Sequence, residues 1–435
     1  MSISTRLTAA LLLVGAFIGG CSKSGGDADI RVLNVSVDYN SVDLYLDNGR
    51  TNTPQITGST YGALTPYKGV DAGAYTVEFT NAGVQNSLKS LQENLDKNTA
   101  KTYVVFGDTG TFNALEILEN QDQPNGGYTS LQVIDAAPDA GSVDVYLTDP
   151  SASLANSSPT FTNVTGGVPG SGFLTIADGT YRIRVTGTGN QADLRVDSVA
   201  GIAFSNQEIA SIVIGGTRGG VLVNLIVVPQ QSTSTTTVSN PYARVRAVAG
   251  IQSGSNLSAS IGGTALITSA AANTVSQYAL VQGGTQTLNL TLNGGALTPS
   301  SQTLTAGSDY TVLVLNGPAV AGTTLTLLSD DNRLPTAATY SKISLVNAMS
   351  ALGDPVTLNV NYTPVANAIA LGNSSAPTQV TSGTIDTEID TVDVATSTPL
   401  YSNTLATLIS NGVYDLFMFG SAAAPVAALH TNRPQ

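Results

Sequence analysis

The sequence predicts an all-β protein made of tandem immunoglobulin-like antiparallel β-sandwich domains behind an N-terminal export signal. Three observations predict it. Short runs alternate apolar and polar residues, the period of a half-buried strand. Blocks of such runs recur at long spacing, the mark of a repeat architecture. The N-terminal apolar run stops at Cys21, the only cysteine among 435 residues.

The N-terminal element comes first. Arg6 precedes the apolar run Leu7 to Ile18, and Gly19-Gly20-Cys21 follows. Positive start, apolar middle and small residues at the cut form a secretory signal. The run is too short for a spanning helix, which needs about 20 residues. With cysteine at the cut, the segment resembles a bacterial lipoprotein signal. That resemblance implies residues 1–20 as signal peptide, Cys21 as the lipidated residue and 21–29 as a tether. It also implies a bacterial cell envelope location, anchored in the membrane through Cys21. Ser22 stands where aspartate would retain the protein at the inner membrane, so the outer membrane is expected.

The repeats come next. Ile30-Arg31-Val32-Leu33-Asn34-Val35 precedes Val42-Asp43-Leu44-Tyr45-Leu46. The same pair of blocks returns as Leu131-Gln132-Val133-Ile134-Asp135-Ala136 and Val143-Asp144-Val145-Tyr146-Leu147. Each copy then has a Gly-x-Tyr strand, at Tyr75 and Tyr181. These tyrosines look like a tyrosine corner, with the ring packed and the hydroxyl bonded to backbone. A closing pair of strands ends each copy. Weaker copies start at Ala243 and Ile343, with Gln286 and Ile385 at the corner position. The sandwiches are expected at 30–119, 129–229, 242–334 and 341–430. Polar stretches at 120–128, 230–242 and 333–341 read as joints. Four separate cores and almost wholly antiparallel pairing are expected, because parallel strands need long crossovers. Only Val84 to Leu95 hints at a short helix, with Leu88, Leu91 and Leu95 at helical spacing.

The first two copies resemble a bacterial domain family known as domain of unknown function 4397. Arg31-Val32-Leu33-Asn34, Ala137-Pro138-Asp139, Val143-Asp144-Val145-Tyr146 and Gly179-Thr180-Tyr181 carry the resemblance. It implies an exported, often lipidated, tandem β-sandwich protein, and it brings no catalytic residues.

Composition narrows the function. The chain is 42% hydrophobic, enough for packed cores, but only 11% charged, with a net charge of −13. Nucleic acid needs basic patches, so it is not an expected partner. With one cysteine, no disulfide forms within the chain. The single histidine, His430, lies near the C-terminus and reads as a solvated tail residue. Gly215 to Gly220 reads as a hairpin loop between strands rather than a phosphate cradle, which a helix would follow. Asp38, Asp43, Asp139 and Asp144 recur in the first two copies, and clustered oxygens could hold calcium. Asp386, Glu388, Asp390 and Asp393 form an acidic row read as a solvated strand face. A carboxylate hydrolase is the weakest reading, since the chain lacks tryptophan for a sugar platform. The function expected is a non-enzymatic envelope lipoprotein without cofactor, acting as scaffold, spacer or adhesion module. Its partner would be a protein or glycan; the alternative is a calcium- or ligand-binding surface module.

Overall fold

The computed structural model describes residues 28–47 and 53–433. The expected signal peptide, the expected lipidation residue Cys21 and residues 22–27 of the expected tether lie outside the described residues. So do the side chains of Ile385 and Asp386. The chain is almost wholly β, and two three-residue 3₁₀ turns, Pro138–Ala140 and Leu154–Asn156, are the only helical turns among the described residues. Residues 87–95 form the strand Ser87–Leu95 rather than a helix. Leu91 and Leu95 pair with Val77 and Gly73. A spacing of four fits a strand face as well as a helix face, and the neighbouring strand decides the outcome.

The strands form eight sheets, two to a copy. In the first copy, Ala28–Asn34 lies between Lys68–Val70 and Ala100–Phe106, with Asn113–Leu118 outside. The opposing sheet has the order Pro54–Thr60, Ser41–Asp47, Gly73–Asn81, Ser87–Leu95. The other three copies repeat this plan.

The ladders are mostly antiparallel, as expected, but one in every copy is parallel. The opening strand runs parallel to the closing strand, as in Arg31↔Thr102, Gln132↔Ser211, Arg246↔Thr311 and Ser344↔Asp415. A parallel pair needs a crossover. Here the opposing sheet supplies it, so no helix is required.

The opening strands are buried on both faces. Ile30 and Val32 enter the core of the first copy. Leu33 and Val35 point the other way, into a core shared with the second copy. There they join Val104, Phe106 and Ile117 against Ile134, Val213, Ile226 and Val228. Val248, Leu313, Leu315 and Leu328 meet Val346, Phe417 and Phe419 in the same way between the third and fourth copies. Each copy therefore keeps a core of its own, and a further shared core packs the copies back to back in pairs.

Chain geometry explains the pairing. Ile30, Lys101 and Leu118 lie level across one sheet. Arg244, Asp309 and Asp330 do the same in the third copy, and Ile343, Tyr414 and Thr431 in the fourth. The chain thus enters and leaves a sandwich at one end, here called the near end. A short link then sets the next copy alongside. The second copy differs: its extra strand Thr236–Val238 runs back along Leu225–Val227 towards the far end. Asn240 fixes the chain there: its Nδ2 donates to Val223 O at 3.2 Å, and its backbone N–H donates to Asn224 Oδ1 at 2.8 Å. The stretch 230–242, expected as a joint, thus contributes a strand to the second copy. It delivers the third copy onto the far end of the first pair.

Candidate functional site

The far ends of copies one and two meet the near ends of copies three and four in a charged junction. Arg333, just after the third copy, is its centre. Its Nη1 lies 3.0 Å from both Asp38 Oδ2 and Asp108 Oδ2 of the first copy. Its Nε lies 2.9 Å from Asp331 Oδ1. Leu334 N–H donates to Asp139 Oδ1 of the second copy at 2.7 Å. Arg433 donates to the carbonyls of Asp139, Asn332 (2.7 Å) and Gly220 (3.5 Å). Arg244 forks onto Asp309, and Asn332 Nδ2 donates to the same carboxylate at 2.7 Å. Contacts therefore join copies distant in sequence, and the four copies are not independent modules linked only through their joints.

The glycine-rich loop belongs to this junction. It connects Ile209–Gly216 to Val223–Pro229, so it is a hairpin loop as expected. Gly219 N–H donates to Gly307 O of the third copy at 2.8 Å. Gly220 has φ +85°, and a Cβ there would lie 2.7 Å from the Arg333 backbone. Glycine is required because two backbones touch and one is left-handed.

Burial raises the Asp139 carboxyl to about 6, opposed by the Leu334 N–H. Burial lowers the Arg433 guanidinium to about 10; Asp139 opposes this, while Arg195 and Arg244 add to it.

A second constellation seals each back-to-back pair at its near end. Arg31 Nε donates to Thr102 Oγ1 at 2.7 Å, and Nη2 lies 2.7 Å from Glu119 Oε1. The guanidinium sits 4.3 Å from the Tyr67 ring centroid, and Tyr67 donates to Glu119. Its remaining bonds reach the carbonyls of Pro229 and Ser232 in the second copy. Arg246 repeats the arrangement with Thr311 (2.8 Å), Tyr278 (4.6 Å) and Asp330 (3.8 Å), and reaches Asp415 and Asn432 of the fourth copy. Sequence reading missed both arginines. Their signal was a charged residue inside an otherwise apolar opening strand.

The four candidate calcium aspartates divide into two roles. Asp43 accepts from Gly58 N–H (2.8 Å) and Gly83 N–H (3.0 Å). Asp144 accepts from Asn163 and Gly189 N–H, both at 2.8 Å. Gly58 and Asn163 are left-handed bulge residues with φ +70° and +50°. The carboxylates therefore pin a bulge and a turn. Ser258 and Thr357 hold the matching left-handed Ser269 and Ala368 in copies three and four, at 2.9 and 3.1 Å. Asp38 and Asp139 instead converge on Arg333 and Leu334. Among the described residues, no group of three or more His, Cys, Asp or Glu is placed to hold a metal.

In the acidic row, Asp390 accepts from Asn359 at 2.7 Å, and buried Asp393 accepts from Ala395 N–H at 3.0 Å. His430 is no tail residue: it lies in the strand Ala424–Thr431, edge-on to Phe417 with centroids 5.7 Å apart.

The corner tyrosines donate as expected, Tyr75 to Asp71 O at 3.0 Å and Tyr181 to Ala177 O at 2.8 Å, but both rings are only half-buried. Copies three and four place a tyrosine on the closing strand instead. Tyr310 and Tyr414 accept from Thr305 and Ile409 N–H, each at 3.0 Å.

Two clefts open at the junction. One of about 480 Å³ lies among copies two, three and four. Another of about 300 Å³ lies among copies one, two and three. A polar one of about 530 Å³, rich in glutamine, sits at the near end of the first pair.

A family model described as a domain of unknown function, DUF4397, matches residues 28–146 and 243–353. Each match starts at the opening strand of an odd copy and runs into the following even copy. The second match covers copy three, which the sequence reading had set apart as diverged. No curated protein matches the sequence. Among solved structures, a family 26 carbohydrate-binding module from Eubacterium rectale, in complex with maltoheptaose, is 14% identical with TM-score 0.16, covering 48% of this chain and 96% of that one. A family 41 carbohydrate-binding module from streptococcal virulence factors, described for α-glucan recognition, is 7% identical with TM-score 0.15, covering 43% and 93%. A candidate cell adhesion protein from Bacteroides fragilis is 10% identical with TM-score 0.14, covering 45% and 98%. TM-scores this low bear on no ligand.

Proposed function

The chain belongs to the DUF4397 family, and on that premise we propose that it is a non-enzymatic, lipid-anchored protein of the bacterial cell envelope, held in the outer membrane through Cys21. Its four sandwiches act as one rigid scaffold that presents loops to a protein or glycan partner. The observation that carries this reading is the role of the charged groups at the junction. Arg333, Arg433 and Asp139 bond across copies and hold the bodies together. Back-to-back packing also favours a scaffold over a spacer, because two of the three connections add width rather than length.

The anchor is tested with Cys21→Ser. The wild-type protein should fractionate with outer membrane and require detergent for release. The variant should appear as a soluble exported form or an unprocessed precursor. A variant that reaches mature size and stays as tightly membrane-bound as wild type would overturn the lipid anchor.

A further inference from the structure

We propose that the cleft shared by copies one, two and three binds a uronic acid residue, the acidic unit of an anionic glycan. The proposal rests on the reading of the protein as a scaffold that presents loops to a partner, and it names that partner's chemistry. The cleft holds about 300 Å³. It is lined by Asn40 and Tyr61 of the first copy, Arg218 and Asn224 of the second, Ser239 of the link that follows and Thr305 of the third. That volume stands at the lower edge of small-molecule sites and gives room for one sugar ring.

Charge points to an anion. The chain has a net charge of −13, yet no Asp or Glu lines this cleft, and its one charged lining residue is Arg218. Arg218 is exposed and, among the described residues, forms no hydrogen bond or ion pair. Its neighbours Thr217 and Gly219 are buried and fixed. Thr217 Oγ1 donates to Leu222 O at 2.6 Å, and Gly219 N–H to Gly307 O at 2.8 Å. The loop thus holds Arg218 at the cleft with its planar fork unspent, and that fork matches the two oxygens of a carboxylate. The acids beside the loop are taken by other cations. Asp38, next in the chain to the lining residue Val37, is held by Arg333. Asp309, against Gly219, is held by Arg244. Water solvates Arg218 in the empty cleft, so the fold does not depend on a ligand there.

The remaining groups point to a sugar. Tyr61 is 36% exposed although its hydroxyl is tied twice, donating to Gly216 O at 3.0 Å and accepting from Asn224 Nδ2 at 2.7 Å. The ring is therefore held in place with apolar surface uncovered, a platform for the C–H face of a pyranose that needs little further ordering. The side chains of Asn40, Ser239 and Thr305 make no hydrogen bonds among the described residues. Amide and hydroxyl groups both donate to and accept from sugar hydroxyls. An extended peptide fits less well, because the backbone at the cleft is already paired, as in Gly216↔Val223 and Asn34↔Tyr61. No strand can be added there.

Titration calorimetry of the detergent-solubilised full chain, at neutral pH and low salt, tests the site. The probes are trimers of galacturonate, glucuronate and mannuronate, their methyl esters, and trialanine. The esters keep the sugar and lose the charge; trialanine keeps a carboxylate and lacks the sugar. At least one uronate should bind, weaken as salt is added, and lose about tenfold or more on esterification. Arg218→Gln should weaken the same uronate about tenfold or more with an unchanged melting temperature, because Arg218 ties no parts of the fold together. Asn40→Asp adds a negative charge to the cleft and should weaken the acid more than its ester. An ester binding as well as its acid would overturn the proposal. So would Arg218→Gln binding like wild type, trialanine binding as tightly as the best uronate, or no uronate binding. The scaffold reading is judged separately by the Cys21→Ser fractionation, so an anchored protein that binds no uronate fails at this site alone.

Discussion

Asp135 stands in the second sandwich at the strand position that Asn34 occupies in the first. Asn34 Oδ1 accepts from Ser36 N–H at 2.9 Å, while Nδ2 donates to the carbonyls of Tyr39 (3.0 Å) and Ser59 (2.9 Å). Asn347 in the fourth copy repeats this with Met349 N–H, Asp354 O and Ile369 O. Asp135 Oδ1 accepts from Ala137 N–H at 2.8 Å, but Oδ2 is buried without a partner. Burial raises this carboxyl to about 8, opposed by the Ala137 N–H and by Arg195.

The first prediction follows from that relationship. A carboxyl whose folded pKa is raised stabilises the fold fully below its unfolded pKa. That contribution is lost as pH rises through the folded pKa. Stability should therefore fall between about pH 4 and 8, with Asp139 contributing to the lower part of that range. Asp135→Asn should remove most of the decline and stabilise the protein by a few kcal/mol, on the order of 1.4 kcal/mol per unit of pKa difference, at pH 8. Urea melts at pH 5 and pH 8 measure it; an Asp135→Asn protein with the wild-type pH slope would refute it.

A second prediction concerns the near-end arginines. Arg31→Leu leaves Glu119 buried without its cation and should cost about 3–5 kcal/mol. Pairing it with Glu119→Gln should restore much of the loss, because no buried charge is then stranded. A double-mutant cycle in denaturant gives the coupling. Simple additivity of the two losses would mean that the pair is not energetically linked.

The third prediction concerns how the molecule comes apart. Shared cores bind copies in pairs, so limited proteolysis should release two-copy fragments of roughly 20 kDa rather than single sandwiches. Arg333→Gln should loosen the junction and expose the crossing at 239–241, most visibly in high salt, which screens the remaining ion pairs. Fragments of about 10 kDa appearing first would contradict the paired arrangement.

A fourth prediction separates the two kinds of corner. Tyr75→Phe and Tyr181→Phe free carbonyls that solvent can reach, so each should cost only about 0.5–1.5 kcal/mol. Tyr414→Phe removes the acceptor for Ile409 N–H from a ring that is 5% exposed. It should cost more, about 1–3 kcal/mol. Equal losses in thermal melts would show that burial does not distinguish the corners.

Strand periodicity made the sandwiches legible, because alternation reports one buried face. It misled where both faces are buried. Val32-Leu33 and Val133-Ile134 put adjacent apolar residues on opposite faces, and that doubling was the trace of a second core. The candidate site was less legible. Asp43 and Asp144 carry a repeated motif, but their ligands are backbone N–H groups, which no side-chain pattern reveals. Arg333 and Arg433 lie in segments without periodicity, and their partners are remote in sequence. Only the tertiary arrangement identifies them.

The near end, where each sandwich receives and releases the chain, also determines how the protein yields under tension. A pull between residue 28 and residue 118 acts at one end of one sheet, on strands separated only by Ala100–Phe106. Asp29↔Ala100 and Lys101↔Leu118 are the first rungs to feel it, and the others follow singly. The ladder opens like a zip instead of resisting in shear. Under drag or traction the weak link is the mouth of the first sandwich, and the Arg31–Glu119 clasp beside it is the fastening that must fail before the strand peels.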